Sequence, residues 1–189
     1  MAYRLETPIS APRRGCLLVA TPQLEDPNFR RSVILIIDHG SEGSLGVILN
    51  RPSEISVDQI VPGWAASSSS APRVFSGGPV QTNSLVALAL ASAPLRGATS
   101  VTEHIALLNL EEEPDIAQQD FENVCLYLGY SGWSPGQLQA ELQEGAWWTF
   151  ESKPEDLISD PIDSWTRVLS RQNSAARLVA FHPEHAYMN

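Results

Sequence analysis

The chain has 189 residues, a length typical of one folded domain, and 18% of them are charged, compared with about 25% in an average globular protein. Twelve basic and 22 acidic residues give a formal net charge of −10 and an isoelectric point near 4.7. A nucleic-acid-binding domain usually has a basic face and a high isoelectric point, so the composition argues against that class. Residues 1–51 hold six arginines and five acidic residues, whereas residues 52–189 hold six basic and seventeen acidic residues.

No segment of the sequence has the composition of a membrane span or an export signal. Residues 1–15 lack the apolar core of a signal peptide, and the longest apolar runs are far shorter than the about 20 residues that cross a bilayer. Cys16 and Cys125 both lie inside apolar segments, which is typical of unpaired core thiols in a reducing compartment. The sequence therefore predicts a soluble cytoplasmic protein that does not associate with membranes.

The N-terminal third is predicted to consist mainly of strands. Residues 16–20 form a short apolar strand, and Asp26 followed by Pro27 suits the start of a single helical turn. Residues 32–38 and 45–50 are rich in β-branched side chains and are separated by a glycine-containing turn, which predicts a β-hairpin. Because both segments are continuously apolar rather than alternating, we expect them to be buried on both faces of a sheet.

The rest of the chain is predicted to alternate short strands with short helices. A Ser-Pro-Gly-Gln motif forms a capping box that opens a helix over residues 134–144. An Asp-Pro pair at residues 160–161 opens a last helix whose buried stripe is Ile162, Trp165 and Leu169. Further strands are predicted at residues 73–75, 85–90, 105–110, 124–128, 147–150 and 177–181, and further helices at residues 56–61 and 114–122.

Five blocks of sequence occur in order along the chain. They are Pro22-x-Leu24-x-Asp26-Pro27-x-Phe29-x-Arg31-Ser32-Val33; His39, Gly43, Gly46, Asn50, Arg51 and Pro52; Gly77-Gly78-Pro79-Val80; the GYSGWSPGQL segment at residues 129–138; and Gly145-Ala146-Trp147. Together they resemble the AlgH/YqgE family of small bacterial proteins. The resemblance implies an α/β fold in which a mixed β-sheet folds into a pseudo-barrel with flanking helices. It implies no reaction, because the family is largely uncharacterised and its usual label of transcriptional regulator is an association.

The same resemblance sets the expected domain organisation. We expect one AlgH/YqgE-like domain over residues 14–175, preceded by an N-terminal extension at residues 1–13 and followed by a C-terminal tail at residues 176–189. The serine run at residues 67–70 is the best linker candidate in the sequence, although a surface loop can be lengthened at little cost without dividing a domain.

Polar residues around the predicted hairpin are the candidates for a ligand-binding site. The candidate residues are Arg31, Ser32, His39, Asn50, Arg51, Gly77 and Gly78. The two arginines either cap and pair within the fold or hold a carboxylate or phosphate by bidentate bonds. The two glycines form either a tight turn or an anion nest, and His39 either bonds to its turn or titrates near neutral pH. No metal site and no catalytic residue is predicted.

The segment around Ser131 has the order strand, glycine-flanked turn and helix that a nucleophile elbow requires. Trp133 stands where that motif needs its second glycine, so the sequence departs from the nucleophile motif.

We therefore expect a protein without a cofactor that acts by binding a small anionic ligand or a protein partner, that does not bind duplex DNA directly, and that influences transcription indirectly if at all. Two alternatives stay open. One is a small hydrolase or transferase with a polar site around Arg31, Ser32, Asn50 and Arg51. The other is an acidic scaffold that docks a basic protein partner.

Overall fold

A computed structural model describes residues 11–62, 73–92, 97–110 and 121–181. Nine strands in this part of the chain form one curled sheet with the order β6-β7-β5-β8-β3-β2-β1-β9, and β4 pairs with β8 beside this path. The strands are β1 (Cys16–Ala20), β2 (Val33–Gly40), β3 (Gly43–Ile48), β4 (Arg73–Ser76), β5 (Val80–Ala91), β6 (Ala98–Ser100), β7 (Ile105–Leu108), β8 (Phe121–Trp133) and β9 (Trp147–Glu151). The helices are α1 (Val57–Ile60), α2 (Gln137–Gln143), α3 (Glu155–Ile158), α4 (Ser164–Ser170) and α5 (Ala176–Val179).

The predicted hairpin is confirmed and lies near the centre of the sheet. Strands β2 and β3 are antiparallel, with Ile34 opposite Ile48 at the open end and Gly40 opposite Gly43 at the turn. Residues 33–37 of β2 are buried without interruption, as their continuous apolar pattern predicts. Alternate side chains of β2 belong to different core clusters, so both faces of this strand are covered.

The long strand β8 connects the two halves of the sheet. Its first part pairs with β4 in parallel and with β5 in antiparallel orientation, and its last three residues pair with β3. The sheet is therefore mixed, and the expected fold of a mixed, curled sheet with flanking helices is confirmed. Gly129 has a φ of +70° within this strand, a backbone conformation that a side chain would disfavour.

Short helices pack against the sheet, and different helices contribute to three separate core clusters. Helix α2 contributes Leu138 and Leu142 to a cluster that also contains Trp133 and Trp147. Helices α3 to α5 cover another cluster, which contains the odd-numbered side chains of β1 and β2. Helix α1 packs its half-buried apolar side chains against a third cluster beneath β4, β5 and β8. None of the described helices is long and apolar enough to span a bilayer.

Two predictions for the C-terminal region are wrong. Residues 177–181 do not form a strand, because Ala176 at the start of α5 and Ala180 directly after its end, four residues apart, are both buried as one side of a helical turn. Leu178, which suggested a strand, is 76% exposed. Ile162 is 82% exposed and precedes α4, whose buried stripe is formed by Trp165, Val168 and Leu169.

Two further helix predictions need new boundaries. The helix after Ser134 begins at Gln137, and half of the predicted capping box is present because the Gln137 side chain accepts the Ser134 N–H at 3.0 Å. The helix predicted for residues 114–122 falls largely outside the described residues, and its last two residues belong to β8 instead. The serine run at residues 67–70 also lies outside the described part of the chain.

Candidate ligand-binding cavity

A cavity of about 390 Å³ lies at the open end of the β2–β3 hairpin. Three segments meet there: the loop before β2, the chain that leaves β3, and the turn between β4 and β5. The described residues that line it are Pro27, Asn28, Ile48, Arg51, Pro52, Ser76, Gly78, Pro79 and Thr82. A volume of this size falls near the lower end of the range of small-molecule sites, about 300–1,000 Å³.

Arg51 is held in a defined position at the cavity wall. Its guanidinium group donates to the main-chain oxygens of Asn50, at 3.3 Å, and of Arg30. The Arg51 carbonyl accepts the Ser76 N–H at 2.8 Å, which ties this residue to the end of β4. Pro52 then pairs with Phe75 in an isolated bridge, so that the chain leaving β3 lies alongside β4. The side chain and the backbone of Arg51 are thus both fixed by the protein.

Asn50 organises the start of β2 rather than facing the cavity. Its Oδ1 accepts the Val33 N–H and its Nδ2 donates to the Arg31 carbonyl, each at 2.9 Å. The amide therefore bonds to the peptide groups on both sides of Ser32, as a neighbouring strand would. Ser32 is fully buried, and its hydroxyl has no hydrogen-bond partner among the described residues.

The loop before β2 presents Asn28 to the cavity by forming the predicted helical turn. The Asp26 carboxylate accepts the Asn28 N–H at 2.8 Å, and the Asp26 carbonyl accepts the Arg30 N–H at 2.7 Å. Asp26 thus caps the turn that Pro27 begins, in the manner expected of an aspartate before a proline.

The Gly77-Gly78 pair allows two segments of backbone to cross at close range. A Cβ atom on Gly77 would lie 2.2 Å from the Gly129 oxygen, and one on Gly78 would lie 2.3 Å from the Tyr130 oxygen. The Gly77 N–H donates to Leu128 O at 2.8 Å, so this amide is already used within the protein. The close approach of the two backbone segments is what the turn interpretation of the glycine pair predicts.

Two of the seven candidate residues lie away from the cavity. The Arg31 guanidinium lies over the Trp165 ring, 4.2 Å from its centroid, and Trp165 belongs to the core cluster beneath α4. His39 lies at the other end of the hairpin, where its Nδ1 is 2.7 Å from the Ser44 hydroxyl. Arg51 and Gly78 line the cavity, and Ser32, Asn50 and Gly77 lie in the backbone framework around it.

The cavity also contains polar residues that the sequence analysis missed. Asn28, Ser76 and Thr82 contribute an amide and two hydroxyl groups to its wall. Asn28 and Ser76 lie inside or directly beside blocks that carry the family resemblance, and that position is the signal that singles them out.

Ser131 is not a nucleophile at an elbow. It lies within β8 opposite Gly46, is fully buried, and donates to the Gly77 carbonyl at 3.3 Å. A nucleophile elbow instead exposes its serine on a sharp turn between a strand and a helix.

Comparison with known proteins identifies the family. The model of the AlgH-like family, DUF179, matches residues 17–177. The chain belongs to the AlgH-like family. Among its relatives, a UPF0301 protein of Streptomyces avermitilis is 43% identical over 183 residues, which cover 93% of this chain and 94% of the relative. A UPF0301 protein of Mycolicibacterium smegmatis is 39% identical over 177 residues, with 90% and 88% covered.

Two solved structures resemble this AlgH-like protein over most of its length. The crystal structure of protein DIP2367 from Corynebacterium diphtheriae has a TM-score of 0.82 at 29% identity and covers 90% of this chain and 93% of that one. The solution structure of AlgH from Pseudomonas aeruginosa has a TM-score of 0.67 at 26% identity, with 94% and 98% covered. The family resemblance inferred from the sequence blocks is therefore confirmed.

The two thiols of this AlgH-like protein are separate and buried. Cys16 and Cys125 are both free and belong to different core clusters. Burial raises the pKa of each thiol above its ordinary value. The described residues contain no group of three or more His, Cys, Asp or Glu side chains arranged to hold a metal ion.

Proposed function

We propose that this AlgH-like protein acts by binding a small anionic ligand in the cavity at the open end of the β2–β3 hairpin. The observation that carries the proposal is the position of Arg51, a cation held at the wall of a cavity of about 390 Å³. A guanidinium group presents a planar set of N–H donors that matches the oxygens of a carboxylate or phosphate.

The hydrogen bonds around Arg51 favour binding because they position the cation before a ligand arrives. Ordering a long side chain on binding costs about 0.5–1.5 kcal/mol. Here the carbonyl groups of Asn50 and Arg30 already orient the guanidinium, and Ser76 fixes the backbone of the same residue. The ligand therefore gains the interaction with a smaller loss of conformational entropy.

The catalytic alternative gains no comparable support. A serine nucleophile needs a base within hydrogen-bond reach, about 2.6–3.2 Å. The hydroxyl of Ser32 is buried without a hydrogen-bond partner in the described part of the chain, and His39 lies at the far end of the hairpin. Arg31, another member of that proposed polar site, stacks on Trp165 instead.

An effect on gene expression would, in this proposal, be indirect. The net charge of −10 disfavours contact with a phosphate backbone, so we propose that the bound ligand, or a protein partner that responds to it, carries any such effect.

A thermal-shift screen tests the proposal. Inorganic phosphate, nucleotides, sugar phosphates and small carboxylates are added to the parent protein and to Arg51→Gln. A ligand at 100 times its Kd stabilises the native state by about 2.7 kcal/mol, which raises the Tm of a chain of this size by about 5–10 °C. We expect at least one compound to raise the Tm of the parent, and we expect Arg51→Gln to lose most of that rise.

The matched control is Arg177→Gln, which removes the same charge from an exposed position on α5. It should respond to the ligand as the parent does. If Arg51→Gln keeps the full response, the ligand binds elsewhere, and if no compound stabilises the parent, the proposal fails.

A further inference from the structure

We infer that the ligand of the Arg51 cavity is a monocarboxylate with an apolar body, and not a phosphate ester or a nucleotide. This inference rests on the proposed function, because it names the chemical class that the same cavity takes. Three features of the cavity carry it: its charge, its committed backbone amides and its proline walls.

The charge of the cavity suits a ligand with a single negative charge. Arg51 is the one basic residue among the nine described lining residues, and none of the nine is acidic. One guanidinium group can hold one carboxylate through two parallel hydrogen bonds. A second negative charge on the ligand would find no further cation among these residues, and the chain around it carries a net charge of −10.

Phosphate sites in proteins commonly use backbone N–H groups, and three of the six non-proline residues that line the cavity already donate theirs to protein oxygens. The Asn28 N–H bonds to Asp26 Oδ1, and the Ile48 N–H bonds to the Gly77 carbonyl. The Ser76 N–H bonds to the Arg51 carbonyl. These three lining residues therefore have no backbone donor to offer to a phosphate.

Prolines supply much of the remaining wall. Pro27, Pro52 and Pro79 carry no N–H at all, so they too offer no donor to a phosphate oxygen. Their rings and the Ile48 side chain instead form a rigid apolar surface beside Arg51. Such a surface stabilises an alkyl or aryl group in proportion to the apolar area that leaves water. A ligand that matches both the Arg51 guanidinium and this apolar surface is an apolar group that carries one carboxylate.

Nuclear magnetic resonance titration of the full chain tests this class. The signals followed are the backbone amides of Asn28, Ser76, Gly78 and Thr82. N-acetylleucine is compared with its neutral carboxamide, and both are compared with inorganic phosphate and adenosine monophosphate. We expect the acid to shift these signals and to bind at least tenfold more tightly than the carboxamide. Phosphate and the nucleotide should leave the signals in place at the same concentrations.

Two variants connect the titration to the cavity. Arg51→Gln should weaken binding of the acid at least tenfold, whereas Arg177→Gln should not change it. Because Arg51 also holds two carbonyl groups, Thr82→Val provides a second test that removes one lining hydroxyl and keeps the side-chain volume. Thr82→Val should weaken binding of N-acetylleucine by a smaller factor than Arg51→Gln does. An acetylated hexapeptide ending in a free leucine, compared with its amidated form, shows whether the carboxylate belongs to a small molecule or to the end of a protein chain.

The outcomes separate this inference from the proposed function. Shifts caused by adenosine monophosphate or phosphate, and not by N-acetylleucine, overturn the carboxylate class and leave anion binding at the cavity intact. Equal affinity for the acid and its carboxamide also overturns the class. If no probe shifts the four signals, both the monocarboxylate inference and the proposal that this cavity binds an anion are wrong.

Discussion

Arg31 and Arg51 flank the same hairpin in the sequence, yet the structure gives them different roles. Arg51 lines the cavity, whereas the Arg31 guanidinium stacks on Trp165 of α4. Trp165 in turn donates from Nε1 to the Ala20 carbonyl at 2.8 Å, so this contact joins α4, β1 and the loop before β2. Arg31 also has a φ of 54°, which is uncommon for a residue with a side chain. The structural interpretation of Arg31 thus has a specific contact behind it.

We expect Arg31→Ala to lower the free energy of unfolding by about 1–2 kcal/mol, because it removes the cation–π contact with Trp165. Arg31→Gly should cost less than Arg31→Ala, since glycine adopts positive φ freely. Urea denaturation measures both. Arg30→Ala, a change of the adjacent exposed arginine, is the control and should stay within about 0.5 kcal/mol of the parent. An unchanged midpoint for Arg31→Ala would contradict the structural role.

The reactivity of the two cysteine thiols tests whether their side chains are buried in the native protein. Because their pKa values are raised, a smaller fraction of each thiol is ionised at pH 8 than in an exposed cysteine, and the thiolate is the reactive form. We expect Cys16 and Cys125 to react slowly with a chromogenic thiol reagent in the native protein. Both should react at once in denaturant. A thiol that reacts rapidly without denaturant would show that its strand opens or that burial there is incomplete.

At the scale of elements, single side chains attach short helices to the sheet. Helix α2 has seven residues, fewer than the about 12–15 that an isolated helix needs for marginal stability in water. Glu141 attaches it: one carboxylate oxygen accepts the indole N–H groups of Trp133 in β8 and Trp147 in β9, each at 2.8 Å. The other oxygen accepts from Gln137 at 2.9 Å. One carboxylate thus joins a helix and two strands.

We expect Glu141→Ala to lower the free energy of unfolding by about 2–4 kcal/mol, because two part-buried indole N–H groups lose their acceptor. Glu141→Gln should cost about 1 kcal/mol, since its amide oxygen still accepts but without a charge. Urea denaturation followed by tryptophan fluorescence measures both. Glu144→Ala, an exposed change at the end of the same helix, should have almost no effect. Equal stability of Glu141→Ala and Glu144→Ala would show that α2 is held by its apolar face alone.

Helices α3 and α4 are attached in a similar way. Arg171 donates to both carboxylate oxygens of the buried Asp156, at 2.6 and 2.8 Å, which joins the end of α4 to α3. Arg73 in β4 donates to the carbonyl groups of Leu157 at 2.6 Å and of Ser159 at 3.2 Å, at the C-terminal end of α3. Arg171 thus pairs with a buried carboxylate, and Arg73 satisfies carbonyl groups at a helix end, where no partner within the helix is present.

For the whole molecule, sequence patterns predicted the features that depend on residues close together in the sequence. The β2–β3 hairpin follows from two continuous apolar runs and a glycine turn, and it formed as expected. The cavity was only partly predictable, because it brings Asn28, Ser76 and Thr82 together from three segments that no local pattern relates. The prediction of a strand at residues 177–181 was wrong for a related reason. Its apolar residues fit a strand equally well, and only packing against α4 favours the helix that buries Ala176.

The distribution of charge over the whole molecule leads to a last prediction: the protein does not bind duplex DNA at physiological salt. DNA affinity arises mainly from clustered cations that release phosphate counterions. Several of the described arginines instead bond within the fold, as Arg73 does to the Leu157 carbonyl at 2.6 Å and Arg171 to Asp156 at 2.6 Å. Fluorescence anisotropy with a labelled duplex should therefore show no binding below micromolar protein, at low or at physiological salt. Sub-micromolar binding that weakens steeply with salt would contradict this expectation. Its loss in Arg30→Gln, an exposed position in the less acidic N-terminal third, would then locate the contact.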